Sequence, residues 1–147
     1  MTKTFALVVH VYLVAMFAVA EPVHAEAIVV VTNKDSHISS LTNAQVKRIF
    51  LAKLMVIDDE LISIVNQQKS SAIRDDFYLL ATGQHAQRAS ARWAGKVFSG
   101  EITRSPLEFD NPEALKNWLK ATPNAISYLY ESELTEQLKV LFRIDRD

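Results

Sequence analysis

The 147-residue chain has no cysteine, only three glycines and four prolines, and no excess of charge, its 16 basic side chains being met by 17 acidic ones. Each shortage excludes something. Without cysteine there is neither a disulfide staple nor a thiolate metal centre, so packing alone must hold the fold. Of four histidines, only His37 and His85 lie beyond the apolar start of the chain, and their separation is not that of metal ligands, so no metal or other cofactor is expected. A net charge of −1 offers no basic surface for nucleic acid. No internal repeat, low-complexity tract or long linker breaks the chain into parts.

The start of the chain is a signal in its own right. Lys3 is followed by the apolar run FALVVHVYLVAMFAVA, and EPVHA then sets Val23 and Ala25 at the small-residue positions before a cut. A basic tip, an apolar stretch and a small-x-small site make a secretory signal peptide of residues 1–25. For an uncleaved membrane anchor the run is slightly short, and His10 interrupts it. Removing it takes away Lys3 and Glu21 together, so residues 26–147 keep a net charge of −1. They suffice for one domain around one core and, once the leader is gone, leave no membrane span.

Along that domain, strand-like and helix-like patterns alternate. AIVVVT (27–32) is a continuous β-branched run, as expected of a strand buried on both faces. Thr42 followed by Gln45 fits a capping box opening a helix in LTNAQVKRIFLAK. MVIDDE reads as a loop turning at Asp58–Asp59, and LISIV (61–65) as a second strand. Helices are expected over 71–82, closed by Gly83, and over 84–98. A further helix in DNPEALKNWLKATP has Asp110 or Asn111 as its cap and Pro112 in its first turn, and AISYLY (125–130) and LKVLFRI (138–144) complete the strands. Trp93 and Trp118 fall on helical apolar stripes and read as core residues. The alternation predicts an α/β domain, an open, mostly parallel sheet flanked by helices.

The most informative stretch is NQQKSSAIRDDFYLL, in which a strand end, a polar turn and a helix start follow one another. Ligands of open α/β sheets bind beyond the carboxyl ends of strands. A helix start there presents unpaired N–H groups that attract anions. Ser70 and Ser71 could add hydroxyls, the amides of Ala72 and Ile73 could donate, and Arg74 could give a forked charged contact. The plain alternative is a serine that only caps its helix, with Arg74 paired to Asp75 or Asp76. As an enzyme site the turn is poor. A nucleophilic Ser71 would need a nearby base, His85 is the only downstream histidine, and no nucleophile–base–orienter pattern is present.

In order and spacing, IVVVTNKDSHISSLTNAQVKRIFLAK, LISIVNQQKSSAIRDDFY, RWAGKVFSG, NAISYLY and LKVLFRID together resemble the periplasmic phosphate-binding proteins of ABC uptake systems, above all their short, single-lobe relatives. The resemblance implies a single-lobe, type II periplasmic-binding-protein-like fold, a periplasmic location and no enzymatic activity. It also implies phosphate or a similar oxyanion as ligand, with a membrane or cell-envelope partner such as an ABC transporter. In the family a Gly-Ser-Gly-Thr-Arg turn holds phosphate. Here Ser71 takes the serine position and Arg74 the arginine position, while Ser70, Ala72 and Ile73 stand at the two glycines and the threonine. Phe50-Leu51-Ala52 stands for a Phe-x-Gly, and Ile126-Ser127-Tyr128 for an Ile-Gly-Tyr. Two readings follow. One is a solute-binding module using Ser70, Ser71, Ala72, Ile73 and Arg74. The other is a binding-protein lobe turned into a periplasmic interaction module, its anion site vestigial.

Overall fold

A computed structural model describes residues 25–146. The expected leader, residues 1–25, lies outside the described residues except for Ala25. Five strands form one sheet in the order β5-β4-β6-β1-β7, where β1 is Ile28–Asn33, β4 Ser63–Gln67, β5 Leu107–Phe109, β6 Ala125–Tyr130 and β7 Leu138–Ile144. β4 runs parallel to β5 and β6, whereas β1 is antiparallel to both β6 and β7. Four strands therefore share one direction and β1 alone opposes them. The sheet is mixed in its pairing and mostly parallel in its sense.

The continuous apolar run in β1 has the cause the sequence suggested. All six of its residues are buried, because helices cover both faces of the sheet. Ile28 and Val30 point into a core shared with α1 (Asn43–Phe50), α2 (Ala72–Thr82) and α3 (Ala86–Phe98). Val29 and Val31 point the other way, against Leu115 and Leu119 of α4 (Pro112–Ala121). The larger core is centred on four aromatic rings. Phe77 stacks on Tyr128 with centroids 3.9 Å apart and planes 8° apart, and Phe50 meets both edge-on.

Local signals explain the helix ends. Thr42 Oγ1 accepts from the Gln45 amide at 3.2 Å, and Gln45 Oε1 accepts from the Thr42 amide at 2.8 Å, completing the capping box. Gly83 closes α2 at φ 73°, its amide bonded to the Leu79 carbonyl. Asn111 caps α4 by accepting from Glu113 N at 2.8 Å. Ala52, at the position of the Phe-x-Gly glycine, takes φ 57°, a left-handed conformation that glycine adopts more easily.

Two expectations shift. MVIDDE is a hairpin rather than a loop: β2 (Val56–Ile57) pairs with β3 (Glu60–Leu61) across Asp58 and Asp59, both at positive φ, which matches strand twist. Leu61 thereby joins the hairpin, and the buried strand lies two residues later than LISIV, ending on Asn66 and Gln67. Those polar residues are buried at 3% and 5% exposure, which an apolar pattern could not signal. Hydrogen bonds compensate them. Asn66 Oδ1 accepts from Tyr78 and Tyr128 hydroxyls at 3.0 and 3.1 Å, and Gln67 Nε2 donates to the Tyr128 carbonyl at 3.1 Å. Burial pushes the Tyr78 hydroxyl up to about 12 and that of Tyr128 well above its ordinary value, so both remain donors.

Candidate functional site

β4 delivers the chain to the carboxyl end of the sheet at Gln67, and residues 68–71 turn it into α2. Ser71 is the N-cap by position, with extended φ −75° and ψ 134°, but its side chain does not cap the helix. Its hydroxyl donates backwards to the Gln68 carbonyl at 2.8 Å, the same oxygen that the Ser71 amide reaches at 3.1 Å. Arg74 N bonds to the Ser71 carbonyl at 3.2 Å. Among the described residues, nothing accepts from the amides of Ala72 and Ile73. They are first-turn donors of the kind left open at every helix start.

Ser71, Ala72 and Ile73 line a pocket of about 200 Å³ with Gln67, Gln68, Asp110, Pro112, Tyr130 and Glu133. The pocket lies between the starts of α2 and α4, beyond the ends of β4 and β6. Of the five residues singled out in the sequence, these three are brought together around it. Ser70 is exposed and outside the lining, and Arg74 lies beneath the turn with 2% of its surface exposed. The Arg74 guanidinium is fully engaged there: Nη1 donates to the Gln67 carbonyl at 2.7 Å and meets Glu108 Oε1 at 2.9 Å, and Nη2 donates to Ser90 Oγ at 3.0 Å. Its partner is thus Glu108 of β5, neither Asp75 nor Asp76. Arg74 braces the turn from below, its charge paired with Glu108.

Asp75 and Asp76 have other work. Asp75 Oδ1 accepts from the Ala86 amide at 2.9 Å, and its Oδ2 pairs with His85 Nδ1 at 3.0 Å, so a carboxylate of α2 caps α3. These contacts, the His85 bond first, hold the Asp75 carboxyl below its ordinary value. With its folded value depressed, Asp75 contributes stability that is present above the ordinary carboxylate range and lost as pH falls through the folded value. Asp75→Asn is therefore expected to flatten the acid side of a plot of urea midpoint against pH. Parallel wild-type and variant curves below pH 5 would refute this. His85 is committed to Asp75, and the Ser71 hydroxyl to Gln68, so the two do not form a nucleophile–base pair. Asp76 accepts from Arg146 at 2.7 Å, and that guanidinium lies 5.8 Å from the Tyr130 ring centroid, bracing a pocket wall.

The sequence reading missed Asp110, Tyr130 and Glu133 as pocket residues. Asp110 was visible as a possible helix cap, but the other two reach the pocket through the pairing of β6 beside β4, which no local pattern encodes.

A mixed sheet covered by helices on both faces, with a helix start beyond the end of an interior strand, defines an open α/β fold. Solved structures make that fold more particular. An ABC-type phosphate transport receptor from Vibrio cholerae superposes at a TM-score of 0.62 with 15% identity, over 79% of this chain and 45% of its own. A phosphate ABC transporter substrate-binding protein from Clostridium perfringens, solved with bound phosphate, superposes at 0.63 with 22% identity, over 81% of this chain and 46% of its own. PstS from Borrelia burgdorferi gives 0.56 with 15% identity, over 79% and 46%. No family model and no curated protein matches the sequence. The chain has the fold of phosphate ABC transporter substrate-binding proteins over somewhat less than half of their length.

Proposed function

We propose that the protein is an exported oxyanion-binding module that takes phosphate at the start of α2 and works with an envelope or ABC-transporter partner. The observation that carries this is the pocket lined by Ala72 and Ile73, first-turn residues of α2 whose amides have no acceptor among the described residues. Those two amides and Ser71 are the first-turn contacts. Ser70 can close over the anion from the exposed side, and Arg74 holds the turn in place from beneath. The phosphate-bound Clostridium perfringens structure of the same fold supports the choice of ligand, and the leader-like residues 1–25 support export. Asp110 and Glu133 in the lining favour an anion that carries a proton, because a carboxylate can only accept a hydrogen bond. Phosphate keeps a P–OH near neutral pH and sulfate does not. The open side leaves the anion partly in water, so affinity near about 0.1 mM is expected until a partner covers it.

Calorimetric titration with phosphate, and with sulfate as control, tests this directly. The sharpest variant is Ala72→Pro. Ala72 is the first residue of α2, a position where proline fits, and Ser71 already has the extended backbone that precedes proline. The substitution removes one N–H and little else. It is expected to weaken phosphate binding about tenfold with the unfolding midpoint unchanged. Equal affinity in the two proteins would remove the helix start from the site. A second reading, an interaction module with a vestigial site, is favoured by the Arg74–Glu108 pair, which already satisfies the arginine. Absence of heat up to millimolar phosphate would select it.

A further inference from the structure

A cavity of about 370 Å³, open on one side, lies at the other end of β4. It sits where the chain enters the short edge strand β5, and it draws its walls from both helical layers. Trp93 of α3 comes from one face and Trp118 of α4 from the other. Ile62, Ile64 and Leu107 form the floor, and Leu61, 70% exposed, stands at the rim. Mostly apolar walls with a few polar groups, in a volume above about 300 Å³, are the ordinary features of a small-molecule site.

The polar groups at the rim are unequal. Glu101 is satisfied: its carboxylate is held by Lys96 Nζ at 2.6 Å and by Ser99 Oγ at 3.1 Å. Arg104 is exposed and has no acidic partner among the described residues. The cavity therefore presents an apolar interior, an aromatic ring from each side and one uncompensated cation at its mouth. We infer that this cleft binds a small organic acid, a compact apolar body carrying one carboxylate, with the body between Trp93 and Trp118 and the carboxylate on Arg104. The site lies at the opposite end of β4 from the serine turn and shares no residue with it, so it stands whether or not phosphate binds there.

The chain's only two tryptophans both line the cleft, so their fluorescence is an internal reporter. The probe is adamantane-1-carboxylate, with adamantane-1-methanol as its neutral counterpart, both transparent where tryptophan is excited. Titration of the wild-type protein is expected to give a saturable change in emission at submillimolar carboxylate. Arg104→Ala, a surface change that leaves the core untouched, is expected to weaken the carboxylate about fivefold while the alcohol keeps its affinity within about twofold. Three results would each overturn the inference: no saturable change up to about 5 mM, equal affinity of wild type and variant for the carboxylate, or an alcohol that binds wild type as tightly as the acid.

Discussion

Replacing Arg74 with alanine is expected to lower the stability of the folded protein by about 3 kcal/mol, because it removes a buried cation and all three of its contacts. The Gln67 carbonyl and the Ser90 hydroxyl each lose a donor inside the protein, and Glu108 loses the charge that holds it. Glu108 is one-third exposed and can recover water, so the loss falls short of that for a fully buried pair. Glu108→Gln should therefore be the milder change, since Arg74 keeps its two neutral acceptors. Urea unfolding of the three proteins checks both statements. An Arg74→Ala midpoint within about 0.5 kcal/mol of wild type would mean that the guanidinium does not brace the turn. An Arg74 that served only as an anion ligand would be dispensable for the fold; burial at 2% exposure makes the fold the first casualty of its loss.

Phe77→Ala is expected to be more damaging still, by about 4 kcal/mol. Phe77 is fully buried, stacked on Tyr128 and edge-on to Phe50 at 4.6 Å, so truncation leaves a void bounded by rings that cannot collapse into it. The loss extends beyond volume. Tyr128 and Tyr78 hold the Asn66 carbonyl oxygen between their hydroxyls, and a Tyr128 ring freed on one face no longer keeps that geometry fixed. Phe77→Leu, which retains most of the volume, should lose roughly half as much. Near-equal midpoints for the alanine and leucine variants would show that the site repacks and that the stacked pair has no special weight.

The sequence made some of this plain because the relevant physics is local. Thr42 with Gln45, Gly83, and Asn111 before Pro112 are short-range signals, and each sits where its element begins or ends. β6 and β7 coincide with the runs AISYLY and LKVLFRI, since apolar strands declare themselves without knowledge of their neighbours. Elsewhere the deciding contacts are distant. Nothing near Asn66 reveals that two tyrosines, 12 and 62 residues away, compensate its burial. The motif around Arg74 suggested a ligand, whereas Glu108, brought alongside by the β4–β5 register, takes up the charge. Asp58 and Asp59 were recognisable as a turn, but two-residue strands on either side are too short for periodicity to register. The pocket itself is a product of topology: its walls come from β4, α2, α4 and the end of β6, which only the folded sheet assembles.

β1 is the first strand among the described residues and an interior strand of the sheet, flanked by β6 and β7, which lie about a hundred residues later in the chain. Val29 pairs with Leu129 on one side and Arg143 on the other, so neither edge of β1 can be covered until nearly the whole polypeptide exists. Contacts this remote in sequence form late and make folding slow. β1 therefore gains its sheet partners only when β6 and β7 are present. Loss of β7 would leave one side of β1, with its apolar run Ile28–Val31, open to pairing with other molecules.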